Sequence, residues 1–375
     1  MSKRRITRRI FVRDTAVIAA GVAAGISATA APRRIVAAGA SDVPAEVKNT
    51  RNYNPQMEYR RLGKTGLWVS AVCLGGHWKR VDKVIKLQGV MDPYRGSKSS
   101  MDMEALRKNR AEVVNRCVEV GINCIDFAGD AEPEMYCSVL KDRRDKFYLA
   151  YSHPASELRV RENCNAKRLV ELFEAGLRRC QLEYADIWRL MAYERGGLHS
   201  QADVDAMVEA LATARKKGLC RFTGFSTHDR RWAKMLIETY PDVMQMLCTP
   251  YTADTKALPQ DSLLDALLKH DVGMLGIKPF ANNSIFHGDG SPVGPHVEED
   301  DQRARLAIRS ILGNPAVTAP IPGLITAHQV DNAVSAVRER RELDGDERAE
   351  RQRLGQEMWA RLPPDYQWLK QWEYV

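Results

Sequence analysis

The sequence predicts a single α/β domain, a closed (β/α)8 TIM barrel with an N-terminal β-hairpin cap and a C-terminal helix. Three observations carry this. After Tyr59 short β-rich runs alternate with amphipathic helical stretches, the pattern of parallel strands joined by right-handed crossovers. Eight such units fit into about 270 residues, the count and length of a closed barrel. No G-x-G-x-x-G stands at a first strand–helix turn, where an open dinucleotide-binding sheet would place one.

The elements follow in order along the 375 residues. Residues 1–30 read as a twin-arginine export signal: Thr7-Arg8-Arg9-Ile10-Phe11-Val12, a moderately apolar stretch from Thr15, and the small-residue exit Ala28-Thr29-Ala30. An uncleaved anchor helix is the alternative. The run is short, rich in alanine and glycine and weakly hydrophobic, which favours cleavage and leaves no stable membrane anchor. Residues 31–55 read as a flexible polar linker, and 56–375 as the barrel. Met57–Trp68 forms the capping hairpin. Strands are predicted at 69–74, 122–126, 147–151, 186–191, 220–225, 243–248, 272–277 and 316–321. Helical patterns lie between them, as in "NAKRLVELFEAGLRRCQLE", where apolar residues recur three and four apart. A helix near 345–361 and the tail "PDYQWLKQWEYV" complete the chain.

Composition sets bounds on function. Hydrophobic residues make up 44% and charged residues 28%, as in a soluble globular protein. The leader segment holds +5 of the net charge of +8, and the remainder is too small to argue for nucleic acid as a partner. The eight cysteines show no C-x-x-C spacing, and none lies beyond Cys248. Those in strand positions are expected to be free, buried thiols.

In such a barrel the chemistry sits on loops that follow the strands. Rim candidates are His77, Asp126, Asp130, Glu132, Ser152, His153, Tyr193, Glu194, Ser226, His228, Gln245 and Lys278, with the loop after Gly323. The segments 77–100 and 281–299 are long enough to serve as lids or to be variable insertions. His77, Asp126, Glu132, His153 and His228 could converge on a metal that activates water, but no H-x-H or H-E-x-x-H motif supports it.

The stretch "MEYRRLGKTGLWVSAVCLGG", followed in order by "GINCIDFA", "RFTGFSTH", "GIKPF" and "AIRSILGNPAVTAPIPGLITAHQVDNAVSAV", resembles the aldo-keto reductase family over residues 57 to 338. The Lys278-Pro279 pair and the "NPAV…IPG" segment resemble a branch that often carries a C-terminal iron–sulfur module. With no cysteine in that region, no iron–sulfur cluster can form here. The resemblance implies a nicotinamide cofactor, NAD or NADP, and a tetrad of tyrosine, lysine, aspartate and histidine. Asp126 matches the aspartate, while Ala131, Ser152 and Met191 stand at the other three positions. Tyr136 lies a helical turn or more beyond the expected place and reads as a helix residue packed on the barrel, with a displaced acid as the alternative. The catalytic set expected from this reading is Asp126, His153 and Lys278, with Asp126 meeting His153 or Lys278; Ser152 and Arg189 are its other neighbours. Ser226, Thr227, Gln245, Gly323 and Asn332 match cofactor-binding positions, or are inherited hydrogen bonders of the rim. The loop "GLITAHQ" lacks the basic residues that grip a 2′-phosphate, which points to NAD rather than NADP or to a weakly held cofactor.

Three readings follow: an exported, divergent oxidoreductase with a captive nicotinamide and a small, carbohydrate-like substrate; a non-catalytic ligand-binding barrel; and a metal-assisted hydrolase or lyase. Export implies a periplasmic location and the twin-arginine translocase as a transient partner. It also implies a tightly held cofactor or none, because the space outside the membrane recycles none.

Overall fold

A computed structural model describes residues 43–75, 84, 103–129, 131–258, 260–288, 290 and 292–371, with the backbone of residues 34 and 35. The export signal, His77 and Asp130 lie outside the described residues. Three short strands, β1 (Arg34–Ile35), β2 (Tyr59–Arg61) and β3 (Trp68–Ser70), form an antiparallel sheet in the order β1-β2-β3. A short helix α1 (Ala45–Lys48) precedes β2. The barrel then runs β4 (Leu74–Gly75), α2 (Met103–Val120), β5 (Cys124–Asp126), α3 (Glu132–Val139), β6 (Tyr148–Tyr151), α4 (Ala166–Arg179) and β7 (Ala185–Met191). It continues through α5 (Gln201–Lys216), β8 (Cys220–Ser226), α6 (Arg230–Thr239), β9 (Met246–Pro250), α7 (Leu263–Lys269), β10 (Gly273–Ile277), α8 (Val297–Leu312), β11 (Ala319–Ile321) and α9 (Ala327–Arg338). Helix α10 (Gly345–Ala360) and a 3-10 segment, Pro364–Lys370, end it.

Strands β4 to β11 are parallel and lie in sequence order. The Cys73 amide donates to Pro320 O at 3.1 Å, bringing the last strand back beside the first. The eight-stranded barrel with its hairpin cap and C-terminal helix is therefore as expected.

Alternation along each strand sorts side chains between two cores. Cys124, Ile187, Met246 and Leu275 point into the barrel, where Leu62 and Leu67 of the hairpin close its floor. Phe127, Tyr151, Trp188 and Phe225 point outward under the helices. The helices are fixed at their starts by local capping: Ser200 with Asp203 before α5, Thr326 with Gln329 before α9, and Asp344 with Glu347 before α10 each form a capping box. In the hairpin turn Gly63, at φ +50°, lies against the backbone of Val272 and Gly273 and leaves no room for a Cβ.

Two expectations need correction. Residues 43–55, read as flexible linker, are built into the barrel floor. Thr50 Oγ1 donates to Trp68 O at 2.6 Å, Asn52 Nδ2 to Ile122 O at 3.0 Å, and Arg51 Nη1 to Phe147 O at 2.7 Å. Arg51 also meets the buried Asp186 at 3.0 Å, together with Arg144 at 2.7 Å and Arg221 at 3.2 Å. Burial alone would raise the Asp186 pKa, but the three guanidiniums outweigh it and hold the carboxyl below its usual range. The segment read as polar linker supplies the cation that this buried carboxylate needs. The second correction concerns two strand positions: the strand predicted at 69–74 divides between β3 of the cap (68–70) and β4 of the barrel (74–75), and the strand predicted at 243–248 is β9 at 246–250. Val243 and Met244 are buried ahead of it, so the apolar run begins before the strand does.

Candidate functional site at the barrel mouth

Asp126 is the last residue of β5 and points inward at the C-terminal end, fully buried. Its partner is Arg189, two residues before the end of β7. Arg189 Nε donates to Asp126 Oδ1 at 2.5 Å and Nη2 to Oδ2 at 3.2 Å, a bidentate pair with both side chains 1% exposed. The same guanidinium donates through Nη1 to Ser226 Oγ at 2.8 Å and through Nη2 to Phe127 O at 2.5 Å. Burial raises the Asp126 pKa, against the charge and hydrogen bonds of Arg189, and the net is upward. For Arg189 burial works downward, but Asp126 and its neighbours prevail and the cation is reinforced. The expected meeting of Asp126 with His153 or Lys278 does not occur. Arg189 shares the inward face with Ile187 and Met191, so alternation along β7 aims it into the mouth.

His153 is drawn into the loop after β6: its Nδ1 is 2.8 Å from Ser156 Oγ, and its amide donates to Glu157 Oε1 at 3.1 Å. Glu157 is buried and was not foreseen, since it lies in an irregular loop with no motif around it. Its carboxylate also accepts from Ser152 Oγ at 2.9 Å, Trp188 Nε1 at 3.2 Å and Met191 N at 2.7 Å, which knits the ends of β6 and β7 together. Lys278 follows β10 at φ +57°, with Nζ 3.4 Å from His228 Nε2. Trp368, from the C-terminal 3-10 segment, stacks on His228 at 4.7 Å and lies 5.8 Å from Lys278 Nζ. Lys278, His228 and the tail therefore form a second polar group on the rim, apart from Asp126.

The cofactor-binding candidates also separate. Ser226 ends β8 at the mouth, on Arg189. Thr227 is buried, and its hydroxyl donates to Tyr193 O at 3.0 Å. Gln245 is not on the rim. It precedes β9, opposite Thr223, and its Oε1 accepts from Thr223 N at 3.1 Å near the barrel floor. Gly323 is exposed in the loop after β11. That loop is pinned from below by the buried Arg110, which donates to Leu324 O at 2.8 Å and Ile325 O at 2.6 Å. Asn332 lies on α9, its side chain taken up by Arg305 at 2.7 Å and by Asp301 O at 3.1 Å.

At the positions where the resemblance led to the rest of the tetrad being expected, Ala131 precedes α3, Ser152 is held by Glu157, and Met191 is buried at the end of β7. Tyr136 is fully buried on α3 and stacks on the outward-facing Phe127 at 5.7 Å, so it packs outside the barrel. Among the described residues the metal candidates do not converge: Asp126 is on Arg189, Glu132 Oε2 accepts from Ala128 N at 2.6 Å, His153 is beside Ser156 and His228 is beside Lys278.

The closed parallel sheet, with its polar groups gathered at the C-terminal mouth, defines a (β/α)8 barrel of the kind whose binding site lies on the strand-to-helix loops. The chain belongs to the aldo/keto reductase family, whose model matches residues 96–303. It is 24% identical over 324 residues to L-galactose dehydrogenase from Arabidopsis thaliana, covering 78% of this chain and 92% of that one. Among solved structures it is similar to an aldo-keto reductase from Bacillus halodurans in its holo form, with 19% identity, a TM-score of 0.56, and coverage of 80% of this chain and 96% of that one. An aldo-keto reductase from Klebsiella pneumoniae in complex with NADPH gives 20% identity and a TM-score of 0.57, covering 78% and 93%. Among the described residues no helix is long and apolar enough to cross a membrane.

Proposed function

We propose that this chain is a divergent oxidoreductase barrel that holds a nicotinamide nucleotide and does not use the family's tyrosine acid. The linkage Asp126–Arg189–Ser226 carries the reading. A carboxylate whose lysine partner is replaced by Ser152 has acquired another cation, and that cation ends on the serine assigned to the nicotinamide. Chance decay gives no reason for a replacement charge, because a buried carboxylate left alone would be costly.

The nicotinamide end fits only in part. Ser226 Oγ accepts from Arg189 and keeps its own proton to donate, whereas Thr227 is turned toward a backbone carbonyl and Gln245 sits at the opposite end. The phosphate end fits better. Gly323 is exposed, its loop is held in shape by Arg110, and α9 begins four residues later; a helix start favours negative charge. The similarity to a Klebsiella pneumoniae aldo-keto reductase in complex with NADPH supports a nicotinamide nucleotide as the ligand. The missing basic residues of the loop favour NAD. The likeness to L-galactose dehydrogenase supports a small, carbohydrate-like substrate. Export by the twin-arginine translocase to the periplasm is part of the proposal, and it requires that the nucleotide travel bound to the folded chain.

The test is mass spectrometry and absorbance on the purified, denatured protein, with titration of the native protein by NADH and NADPH. Stoichiometric release of a nicotinamide nucleotide, or saturable binding at micromolar concentration, is the expected result. If neither is seen, the non-catalytic barrel takes its place, a reading favoured by the full occupation of Asp126 by Arg189.

A further inference from the structure

Among the described residues two clusters outside the mouth bring histidine and carboxylate atoms together, and their tautomers separate them. In the first, Cys164, His199 and Asp203 lie within 4.8 Å of one another. There His199 Nε2 accepts the Tyr193 amide at 3.1 Å, so the ring proton sits on Nδ1, the nitrogen that faces Asp203. An ion on Nδ1 would need that proton moved to Nε2, against an N–H donor. This cluster is not a metal site.

The second cluster passes the same test. His287, in the loop after β10, and His296 and Glu299, at the start of α8, place their donor atoms within 4.8 Å of one another. His287 Nδ1 is 2.9 Å from Glu299 Oε1, and His296 Nδ1 is 3.6 Å from Glu299 Oε2. Tetrahedral Zn²⁺ with ligands at about 2.0–2.2 Å sets neighbouring donors about 3.3–3.6 Å apart; the two spacings, to different oxygens of Glu299, lie below that range and at its upper end, within a small side-chain adjustment of it. The other nitrogen of His287, Nε2, faces Glu357 Oε2 of α10 at 3.6 Å. A metal-bound histidine needs such a carboxylate to hold its remaining proton.

The loop is held in place for this arrangement. Asp300 accepts from His287 N at 2.7 Å and Gly288 N at 2.8 Å, Arg303 donates to Ile285 O at 3.0 Å, and Arg361 donates to Phe286 O at 2.6 Å. Charge also favours a dication. Among the described residues the three carboxylates of Glu299, Asp300 and Glu357 outnumber the guanidiniums that act on them: Arg303, which reaches Glu299 at 3.1 Å and Glu357 at 2.8 Å, and Arg353, which acts on Glu357 from further away. With neutral imidazoles a net negative charge remains. The N-terminal dipole of α8 opposes a cation weakly at this exposed position.

We propose that His287, His296 and Glu299 bind one Zn²⁺ ion, with Glu357 orienting His287 and water completing the coordination. The ion ties the long loop after β10 to α8 and α10 on the C-terminal face of the barrel. Nothing in this proposal depends on the nucleotide reading, and either can fail alone.

The full chain, free of any histidine tag, is stripped with chelator, dialysed and titrated with Zn²⁺ against a chromophoric chelator at neutral pH. Co²⁺ absorption then reports the coordination geometry. One ion per chain with a tetrahedral Co²⁺ spectrum is expected. His287→Ala and His296→Ala should each weaken Zn²⁺ binding at least 100-fold, and Glu357→Gln about 10-fold. His328→Ala, at an exposed histidine paired with Asp301, should leave it unchanged. All of these side chains are at least partly exposed, so the variants should fold, and circular dichroism checks it. Sub-stoichiometric binding, or equal affinity in the His287 and His296 variants, overturns the proposal and leaves an ion-pair network centred on Arg303.

Discussion

Replacing Arg189 with methionine removes four hydrogen bonds at once: two to Asp126, one to Ser226 and one to Phe127 O. The Asp126 carboxylate stays buried with its counter-charge gone, and removing one partner of a buried pair costs about 3–5 kcal/mol. At roughly 2 °C per kcal/mol for a domain of this size, the midpoint of thermal unfolding should fall by about 6–10 °C. The pH dependence follows from the direction of the Asp126 shift. With Arg189 gone, the influences that lower its pKa are gone, and burial lifts it further above an unfolded value of about 3.9. The folded state then binds the proton more tightly than the unfolded one, so stability falls as pH rises from about 4 through the folded pKa. The deficit of Arg189→Met should therefore be smallest near pH 4 and grow toward neutrality. The double variant Asp126→Leu/Arg189→Met removes both charges and should recover stability, with a coupling of about 0.5–3 kcal/mol in the cycle. Denaturant unfolding of the four proteins between pH 4 and 8 measures it. A midpoint change under about 2 °C for Arg189→Met, or strict additivity in the cycle, would refute a buried ion pair as the organiser of the mouth.

Asp186→Asn should cost about 3–5 kcal/mol at pH 7, because three guanidiniums on the barrel floor lose their common anion. The Asp186 pKa is lowered in the folded state, so its contribution is complete above an unfolded value of about 3.9 and is lost as pH falls through the folded value; the deficit should shrink below about pH 4 in denaturant titrations. Tyr136→Phe should leave any turnover unchanged and cost no more than about 1.5 kcal/mol, since the ring packs on Phe127 outside the barrel. Simple aldehydes with added NADH or NADPH should show negligible turnover, and robust reduction abolished by Tyr136→Phe would restore a conventional acid. Arg8→Lys/Arg9→Lys should hold the precursor in the cytoplasm, and unimpaired export in a fractionation assay would mean that the leader has been misread.

Local pattern was enough for the order and type of the elements. Strand–helix alternation and the recurrence of apolar residues three and four apart, as along α4, depend on neighbours within a few positions, so one chain displays them. The sequence also placed Asp126 at a strand end and Tyr136 on a helix. It did not decide how deep each residue sits along the barrel axis. Gln245, half-buried, interrupts a run of buried residues that starts before β9, and only pairing with β8 in register shows that it lies toward the floor. Nor did it choose partners across the barrel. Asp126 had four candidate neighbours by strand position, and the bidentate reach of Arg189 from β7 selected one. Likewise Arg51 and Asp186 are 135 positions apart, and His287, His296, Glu299 and Glu357 come from three elements. Hydrophobic period is a property of each segment, whereas register, depth and ion pairing depend on how eight strands close on one another. That closure is collective, and no single segment contains it.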